Sequence, residues 1–274
     1  MSTFHRDGID FNYRTLGEGL TFVFQHGLGG DITQPFGLFT PPPGVRLIAM
    51  DSRGHGQTRP VGEANRFAIA SFADGVLALF DHLKIRQAIV GGTSMGAAIA
   101  LNFAVRFPDR VLGLVLSRPA WVSDPDPPNT RVIRKVGALI RELGPVAGAE
   151  AFERTPEFLE TSRLAPECAQ SLLLQFREPR AVDAVVRLER IPMDAPLRRA
   201  SDVAAISVPT LVLANQQDTI HPYDYGVALA RMIPNAQFVE LTSKSVSKER
   251  HTADVQQALS QFLQAHFLHK ETNQ

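Results

Sequence analysis

The sequence predicts an α/β protein with a mostly parallel central sheet, helices on both faces of that sheet and a helical cap inserted after the sixth strand. Two features lead to this prediction. Short apolar runs alternate with longer stretches of helical period, the pattern of a parallel sheet covered on both sides. The alternation is interrupted once, between about residues 119 and 200, where helical patterns follow one another without a strand.

The strands are predicted from short apolar runs that end at turn residues. The first two, at residues 4–6 and 11–15, flank Asp7-Gly8, a pair typical of a tight hairpin turn. The other runs are too short for helices and are bounded by glycine, proline or aspartate. They lie at residues 22–24, 45–50, 88–90, 111–116, 211–213 and 238–241.

Helices are predicted where apolar residues recur at helical spacing. Residues 72–83 have one apolar face, and Ser71 just before them is the predicted N-cap. Residues 97–107 are apolar almost all round, as expected of a helix packed inside a core, and residues 255–267 form the last helix. The interleaving of these helices with the strands supports the α/β prediction.

The interruption of the pattern is interpreted as a helical insertion. It opens with the proline-rich stretch at residues 124–128, which fits neither a regular helix nor a central strand. Apolar stripes at helical spacing follow at residues 132–143, 172–176 and 182–186. We predict that residues 1–118 and 201–274 form a core domain and that residues 119–200 form a cap, or lid, over the site that the core builds.

Composition excludes several classes of function. Lysine plus arginine and aspartate plus glutamate both number 28, so the chain lacks the basic excess expected of a nucleic-acid-binding protein. The single cysteine, Cys168, cannot form an internal disulfide and is interpreted as a small buried side chain. No secretory signal or membrane-spanning run is visible, so we expect a cytoplasmic protein without a membrane partner. No Walker, dinucleotide or metal-ligand spacing is present, so no cofactor or metal is expected.

The motif that indicates chemistry is a serine at a turn between a strand and a helix. Gly92-Thr93-Ser94-Met95-Gly96 has the form G-x-S-x-G and follows the run at residues 88–90. The glycines leave room for a sharp turn that lifts the Ser94 hydroxyl above the sheet, at the start of a helix. Free backbone N–H groups there stabilise developing negative charge. The alternative is a glycine-rich turn with a structural serine, which the strand–turn–helix context disfavours.

With this motif the chain resembles the α/β-hydrolase superfamily, and three further features strengthen the resemblance. The segment His26-Gly27-Leu28-Gly29-Gly30 resembles the oxyanion loop of that family, and residues 51–58 resemble its D-x-R-G-x-G-x-[ST] loop. The order serine, acid, histidine is also that of the family. The resemblance covers nearly the whole chain and implies the α/β-hydrolase fold with the activity of a lidded esterase or lactonase.

The resemblance implies that a histidine near the end of the chain is the base that activates Ser94. His251 lies between the last predicted strand and the last predicted helix, where a loop can reach the site, and it is the predicted base. His221 is set aside because it follows the predicted acid too closely to fold back on it. The other histidines lie in loops, on a helix or in terminal segments: His5, His26, His55, His82, His266 and His269.

Asp218, which follows the strand at residues 211–213, is the predicted acid that orients the histidine. Asp124 and Asp126 are the rival acids, and an N-cap for the helix that starts near residue 223 is the structural alternative for Asp218. The resemblance further implies that the backbone N–H groups of Leu28 and Met95 form the oxyanion hole.

Substrate contacts are predicted at the end of the sixth strand, at the edge of the sheet where Ser94 lies. Arg118 is expected to pair with a carboxylate of the substrate and Trp121 to form a wall of the pocket. A salt bridge between core and lid is the alternative for Arg118, and Lys244 is a further candidate for binding an acidic group.

The predicted function is hydrolysis of a small carboxylic ester or lactone, with a small-molecule substrate as the only partner. Three alternatives stay open at this point. The first is cleavage of a carbon–carbon bond in a diketone-like acid, and the second is perhydrolysis without a cofactor. Both reactions could use the same nucleophile, base and acid. A receptor that keeps the fold for sensing a small molecule is the alternative outside enzymes, and turnover of simple esters distinguishes it.

Overall fold

The computed structural model describes residues 2–268, so Met1 and residues 269–274, including His269, lie outside the described part. An eight-stranded sheet with the order β1-β2-β4-β3-β5-β6-β7-β8 forms its centre. The strands are β1 (Ser2–Arg6), β2 (Ile9–Leu16), β3 (Leu20–Gln25), β4 (Val45–Met50), β5 (Ala88–Thr93), β6 (Val111–Ser117), β7 (Thr210–Ala214) and β8 (Ala236–Glu240). Strands β1 and β2 pair antiparallel, β2 pairs antiparallel with β4, and strands from β4 to β8 across the sheet are parallel.

Helices cover both faces of the sheet, as the sequence predicts. They are α1 (Thr33–Leu38), α2 (Ile69–His82), α3 (Met95–Arg106), α4 (Arg131–Phe152), α5 (Pro156–Leu164), α6 (Pro166–Arg177), α7 (Val186–Arg190), α8 (Tyr223–Met232) and α9 (Lys248–His266). Residues from α1 and α9 pack in one apolar cluster, and residues from α2, α3 and α8 pack in another. The predicted α/β class is confirmed.

The two clusters follow from the alternation of side chains along each strand. In β3, Phe22 and Phe24 belong to the cluster with α9, whereas Val23 belongs to the cluster with α3. All three side chains are at most 1% exposed, so this central strand is apolar on both faces. Strands buried on both sides read as continuous apolar runs, which is why the sequence locates them well.

The segment between β6 and β7 is the cap, inserted after the sixth strand as predicted. Helices α4, α5, α6 and α7 lie there, and α4 packs against both α6 and α7. Helix α4 is interrupted at Gly144 (φ 76°), which is followed by Pro145, a residue that cannot continue the helical hydrogen bonding. The division at residues 119 and 200 stays a prediction.

Two helix starts differ from the prediction. Helix α2 begins at Ile69, after Ala68, so Ser71 lies inside the helix and is not its N-cap. Helix α9 begins at Lys248, and the Ser247 side chain accepts a hydrogen bond from the Arg250 N–H group. His251 therefore lies in the first turn of a helix and not in a loop, which matters for the site.

No helix within residues 2–268 is both long enough and apolar enough to cross a lipid bilayer.

Candidate active site

Ser94 occupies the sharp turn between β5 and α3 in a conformation that side chains rarely adopt. Its backbone has φ 56° and ψ −115°, and its N–H group donates to the carbonyl oxygen of Ser117 on β6 (2.9 Å). Positive φ costs a non-glycine residue energy, and such strain is concentrated at functional sites. The predicted turn is thus present, with the serine side chain at the carboxyl edge of the parallel strands.

The glycines on either side of Ser94 are required by close packing. A Cβ atom added at Gly92 would lie 2.4 Å from the Gly96 carbonyl carbon. One added at Gly96 would lie 2.2 Å from the Gln25 carbonyl oxygen of β3. Real Cβ contacts are never this short, so the turn can only form with glycine at both positions.

His221 is the imidazole that contacts Ser94. Its Nε2 atom lies 2.8 Å from Ser94 Oγ, within hydrogen-bond distance. Its Nδ1 atom lies 3.0 Å from each carboxylate oxygen of Asp218. The His221 side chain is 10% exposed and that of Asp218 2%, so both groups are largely shielded from water.

A tight turn after β7 brings the His221 side chain back to Asp218, three residues earlier in the chain. Asp218 Oδ1 accepts hydrogen bonds from the backbone N–H groups of Ile220 (3.1 Å) and His221 (2.9 Å), which curls the chain around the carboxylate. Pro222 then precedes α8 and keeps His221 out of the helix. The sequence-based argument that the two residues are too close to interact is therefore wrong.

Asp218 is held as a carboxylate by the charges around it. Burial by itself opposes ionisation, but His221 and Arg118 outweigh it and hold the pKa of Asp218 well below its usual value. Arg118 donates through Nε (3.1 Å) and Nη2 (2.5 Å) to Asp218 Oδ2. Arg118 is thus paired with the predicted acid, and because it also lines the cavity above Ser94, its predicted salt bridge to a substrate carboxylate stays a prediction.

The structure also corrects the prediction for His251. Its Nδ1 atom contacts the Thr242 carbonyl oxygen (2.8 Å), and no hydrogen bond joins it to Ser94 or Asp218. The ring is 1% exposed, and burial, followed by the nearby Arg118 charge, lowers the pKa of His251 to about 4. The physical reason is the early start of α9, which fixes His251 inside a helix and away from Ser94.

The remaining predicted acids do not reach Ser94. Asp126 pairs with Arg134 (2.8 Å) and Arg131 (3.6 Å) at the start of the cap. Asp124 is exposed to solvent. The N-cap alternative for Asp218 is not what the structure shows either, because α8 follows Pro222 without a side-chain cap.

The glycine-rich loop after β3 lies beside Ser94. A Cβ atom on Gly27 would lie 3.4 Å from the Ser94 Cβ atom, and the Gly27 N–H group donates to Gln34 Oε1 (2.7 Å). Leu28 is held through its carbonyl oxygen, which lies 3.0 Å from His55 Nε2 and accepts from Arg187 Nη1 (3.2 Å). The loop is therefore anchored through the Gly27 N–H group and the Leu28 carbonyl oxygen.

The Leu28 N–H group makes no hydrogen bond with any residue of the described chain, and the same holds for the Met95 N–H group at the first position of α3. Both amides, which are the predicted donors of an oxyanion hole, thus have no hydrogen-bond acceptor within residues 2–268. Whether they bind an oxyanion remains a prediction.

A cavity of about 440 Å³ opens above Ser94 and His221. The oxyanion loop, the cap helix α6 and the loop after β8 form its walls. Trp121 is not among the lining residues: it is 4% exposed and donates through Nε1 to the Asp194 carbonyl oxygen (2.9 Å). The prediction that Trp121 walls the pocket is corrected, because its ring belongs to the apolar cluster between core and cap.

Cys168, at the start of α6, reaches the same carboxylate as His221. Its Sγ atom lies 3.1 Å from Asp218 Oδ1, and burial, followed by the Asp218 charge, raises the pKa of the thiol to about 11. The thiol is therefore protonated at neutral pH and donates to the carboxylate. Sequence reasoning missed this contact, since nothing in the chain around Cys168 indicates a partner 50 residues away.

Sequence reasoning also set His221 aside, although two signals were available. Ser247 followed by charged residues is an N-cap pattern that predicts a helix start before His251. The spacing Asp218-x-x-His221 before Pro222 is typical of a turn closed by an aspartate side chain. Read together, they would have favoured His221 over His251.

Comparison with known proteins finds enzymes of related architecture. The chain is 28% identical to 3-oxoadipate enol-lactonase 2 of Acinetobacter baylyi, with 87% of each chain covered. It is 27% identical to 2-hydroxymuconate semialdehyde hydrolase of Pseudomonas putida, covering 84% of this chain and 82% of that protein. A malate-bound thermophilic esterase from Thermogutta terrifontis superposes with a TM-score of 0.73 at 28% identity, with 97% of each chain covered.

The family model for the alpha/beta hydrolase fold matches residues 21–142, a range that runs from β3 into α4. This range contains the three segments on which the resemblance in the sequence rests, namely the glycine-rich loop at residues 26–30, the loop at residues 51–58 and the turn at Ser94. The match, the related enzymes, the strand order and the turn between β5 and α3 together show that the chain has the α/β-hydrolase fold.

Proposed function

We propose that this protein is a serine hydrolase that cleaves a small carboxylic ester or lactone through an acyl-enzyme intermediate. The observation that carries the proposal is the chain of contacts from Ser94 Oγ to His221 Nε2 and from His221 Nδ1 to Asp218. These are the contacts that a nucleophile, its base and the orienting acid need for acyl transfer. The similarity to an esterase and an enol-lactonase supports the substrate class.

In the first half of the proposed reaction, His221 Nε2 takes the proton of Ser94 as Oγ attacks the carbonyl carbon. The carbonyl oxygen becomes an oxyanion in the tetrahedral intermediate. Collapse of the intermediate breaks the bond between the carbonyl carbon and the alcohol oxygen, and the imidazolium of His221 protonates that oxygen. An ester releases the alcohol, whereas a lactone keeps it attached to the acyl chain.

In the second half, water attacks the acyl carbon while His221 takes one of its protons. The new intermediate collapses to the carboxylic acid, and Ser94 Oγ leaves with the proton from His221. Asp218 supports both halves, because its carboxylate stabilises the imidazolium and keeps the ring oriented. Burial, and to a lesser degree Arg118, keeps the pKa of His221 below its usual value, so the ring is neutral and able to accept a proton at neutral pH.

The amides of Leu28 and Met95 are the proposed oxyanion donors. Both lack a partner within the described chain, and the Met95 amide lies at the positive end of α3. Loss of one such donor typically costs about 3–4 kcal/mol of transition-state stabilisation.

A second candidate is hydrolysis of a carbon–carbon bond in a diketone-like acid. The observation that favours it is the similarity to 2-hydroxymuconate semialdehyde hydrolase. The same three residues serve this reaction, and the difference lies in the leaving group. Assay of both substrate classes with one preparation of the enzyme separates the two candidates.

The test is a panel of p-nitrophenyl esters, aliphatic lactones and a diketone-like acid, assayed with the wild type and three variants. We expect Ser94→Ala and His221→Ala to lower kcat/KM by about 10⁴-fold or more, since residues that act as a unit fail together. His251→Gln should keep kcat/KM within about threefold of wild type, because His251 contacts only a backbone carbonyl group.

A fluorophosphonate probe should label the wild type and leave Ser94→Ala unlabelled. An inactive His251→Gln variant together with an active His221→Ala variant would reinstate His251 as the base. Absence of turnover and of labelling in the wild type would favour the receptor alternative over an enzyme.

A further inference from the structure

Three cationic side chains line the cavity above Ser94, and two of them have a carboxylate partner. Arg118 is paired with Asp218, and Lys248 lies 3.1 Å from Glu167 on the cap helix α6. Lys244, the third, makes no salt bridge or hydrogen bond with any residue between 2 and 268. The paired charges cancel, so the cavity wall has one positive charge that the protein does not balance.

Lys244 reaches the cavity from the loop between β8 and α9, the segment in which the sequence analysis placed the base. The side chain is half-buried, with Ser243 buried next to it and Ser247 capping the helix that follows. The loop is therefore fixed at its C-terminal end and holds Lys244 toward Ser94 and His221. A buried ammonium without a counter-ion is costly, and an anion that enters the cavity removes this cost.

We propose that Lys244 binds a carboxylate of the substrate, and hence that the substrate is an ester or lactone with one negative charge. This inference rests on the proposed function. A single unbalanced positive charge matches a monoanion, whereas a phosphate dianion would need a second free cation. Arg118 is already paired with Asp218 through Nε and Nη2, so its charge is balanced within the protein, whereas that of Lys244 is not.

The charged surroundings of Lys244 predict how its contribution changes with pH. Burial, followed by the Arg118 charge, lowers the pKa of Lys244 to about 8, and Asp218, Glu167 and Cys168 act in the opposite direction. The ammonium therefore loses its proton as the pH rises through about 8. His221, the titratable group that also faces Ser94, is already neutral in this range because its pKa is below its usual value. A charged substrate should bind more weakly above this pH, and an uncharged one should not.

The experiment compares two esters of equal chain length, p-nitrophenyl hydrogen glutarate and p-nitrophenyl pentanoate. Wild type, Lys244→Met, Lys244→Arg and the double variant Lys248→Met/Glu167→Gln are assayed at pH 7. We expect Lys244→Met to lower the ratio of kcat/KM for glutarate to that for pentanoate by about tenfold or more, mainly through a higher KM for the glutarate ester. Lys244→Arg should restore most of the ratio. The matched control, Lys248→Met combined with Glu167→Gln, should keep the wild-type ratio because it removes both charges of one ion pair.

A second measurement follows KM between pH 7 and 9.5. In the wild type, KM for the glutarate ester should rise above pH 8 while KM for pentanoate stays constant, and in Lys244→Met both should stay constant. An unchanged ratio in Lys244→Met, or an equal loss in the double variant Lys248→Met/Glu167→Gln, overturns the assignment. If the wild type hydrolyses neither ester, or if Ser94→Ala hydrolyses both, then the proposed function itself fails, and this outcome is distinct from failure at Lys244.

Discussion

Arg118 places a positive charge against the Asp218 carboxylate and lies 3.1 Å from His221 Nδ1 through its Nη2 atom. It adopts this position from a left-handed backbone conformation (φ 49°) at the end of β6, with its N–H group bonded to the Leu213 carbonyl oxygen (2.7 Å). A cation so close to an imidazole disfavours the protonated ring. Arg118 is thus a positioning residue for Asp218 and sets the proton affinity of His221.

Replacing Arg118 should change the pH dependence of catalysis. Its charge contributes to lowering the pKa of His221, so Arg118→Gln should raise that pKa. Only neutral His221 accepts the Ser94 proton, and the acid limb of kcat/KM against pH should therefore move to higher pH. Arg118→Lys, which keeps the charge, is the control and should leave the limb near its wild-type position. If the acid limb of kcat/KM has the same pH midpoint in wild type and Arg118→Gln, then Arg118 does not affect the pKa of His221.

At the scale of elements, the cap contacts the proposed triad through Cys168 at the start of α6. Its thiol is the one contact between the cap helices and Asp218 among the described hydrogen bonds. The position of α6 and the hydrogen bonding of Asp218 are therefore linked, because α6 supplies one donor to the carboxylate. Hydrogen bonds to charged groups are worth more than those between neutral groups.

This link predicts different outcomes for two small substitutions. Cys168→Ala removes the donor and should lower kcat by about three- to tenfold. Cys168→Ser keeps a donor of similar size and should retain most of the activity. Steady-state kinetics on p-nitrophenyl pentanoate distinguishes the two. Full activity of Cys168→Ala would show that the thiol contact does not contribute to the reaction.

Comparison of the observed elements with their predicted ranges shows which parts of the fold the sequence patterns could predict. Strand β4 matches its predicted range at residues 45–50, because a short apolar run bounded by turn residues indicates a buried strand. The turn at Ser94 was found because packing at Gly92 and Gly96 leaves a local signature. His221 was missed because its role depends on how a four-residue turn closes, and Trp121 was misplaced because a pocket wall depends on how cap and core pack. Local patterns predict elements well and the meeting of distant side chains poorly.

At the scale of the whole molecule, four of the histidines within residues 2–268 are buried, and burial lowers the pKa of each. They are His26, His55, His221 and His251. An unfolded chain would protonate them near pH 6.5, whereas the folded protein keeps them neutral. Between these values the unfolded state binds more protons, so stability is full above about pH 6.5 and falls as the pH falls toward the folded pKa values.

His251 offers a measurable share of this effect, since its pKa is lowered to about 4 and it lies outside the proposed triad. Removing that titration should make the protein less sensitive to acid. Between pH 7.5 and pH 5, His251→Gln should lose about 2 kcal/mol less free energy of unfolding than the wild type. Urea unfolding at the two pH values measures the difference. Equal losses in both proteins would mean that His251 becomes protonated without unfolding.

The short turn from Asp218 to His221 has a consequence for how selectivity can change. In the proposed mechanism the acid and the base lie on one stretch of four residues, so the loop before α9 takes no part in proton transfer and can contact the substrate instead. Chemistry and recognition are thereby assigned to separate segments. Exchange of the loop at residues 241–247 should change the substrate preference and leave Ser94, His221 and Asp218 in place. This loop is therefore the first segment to vary when a different substrate preference is sought.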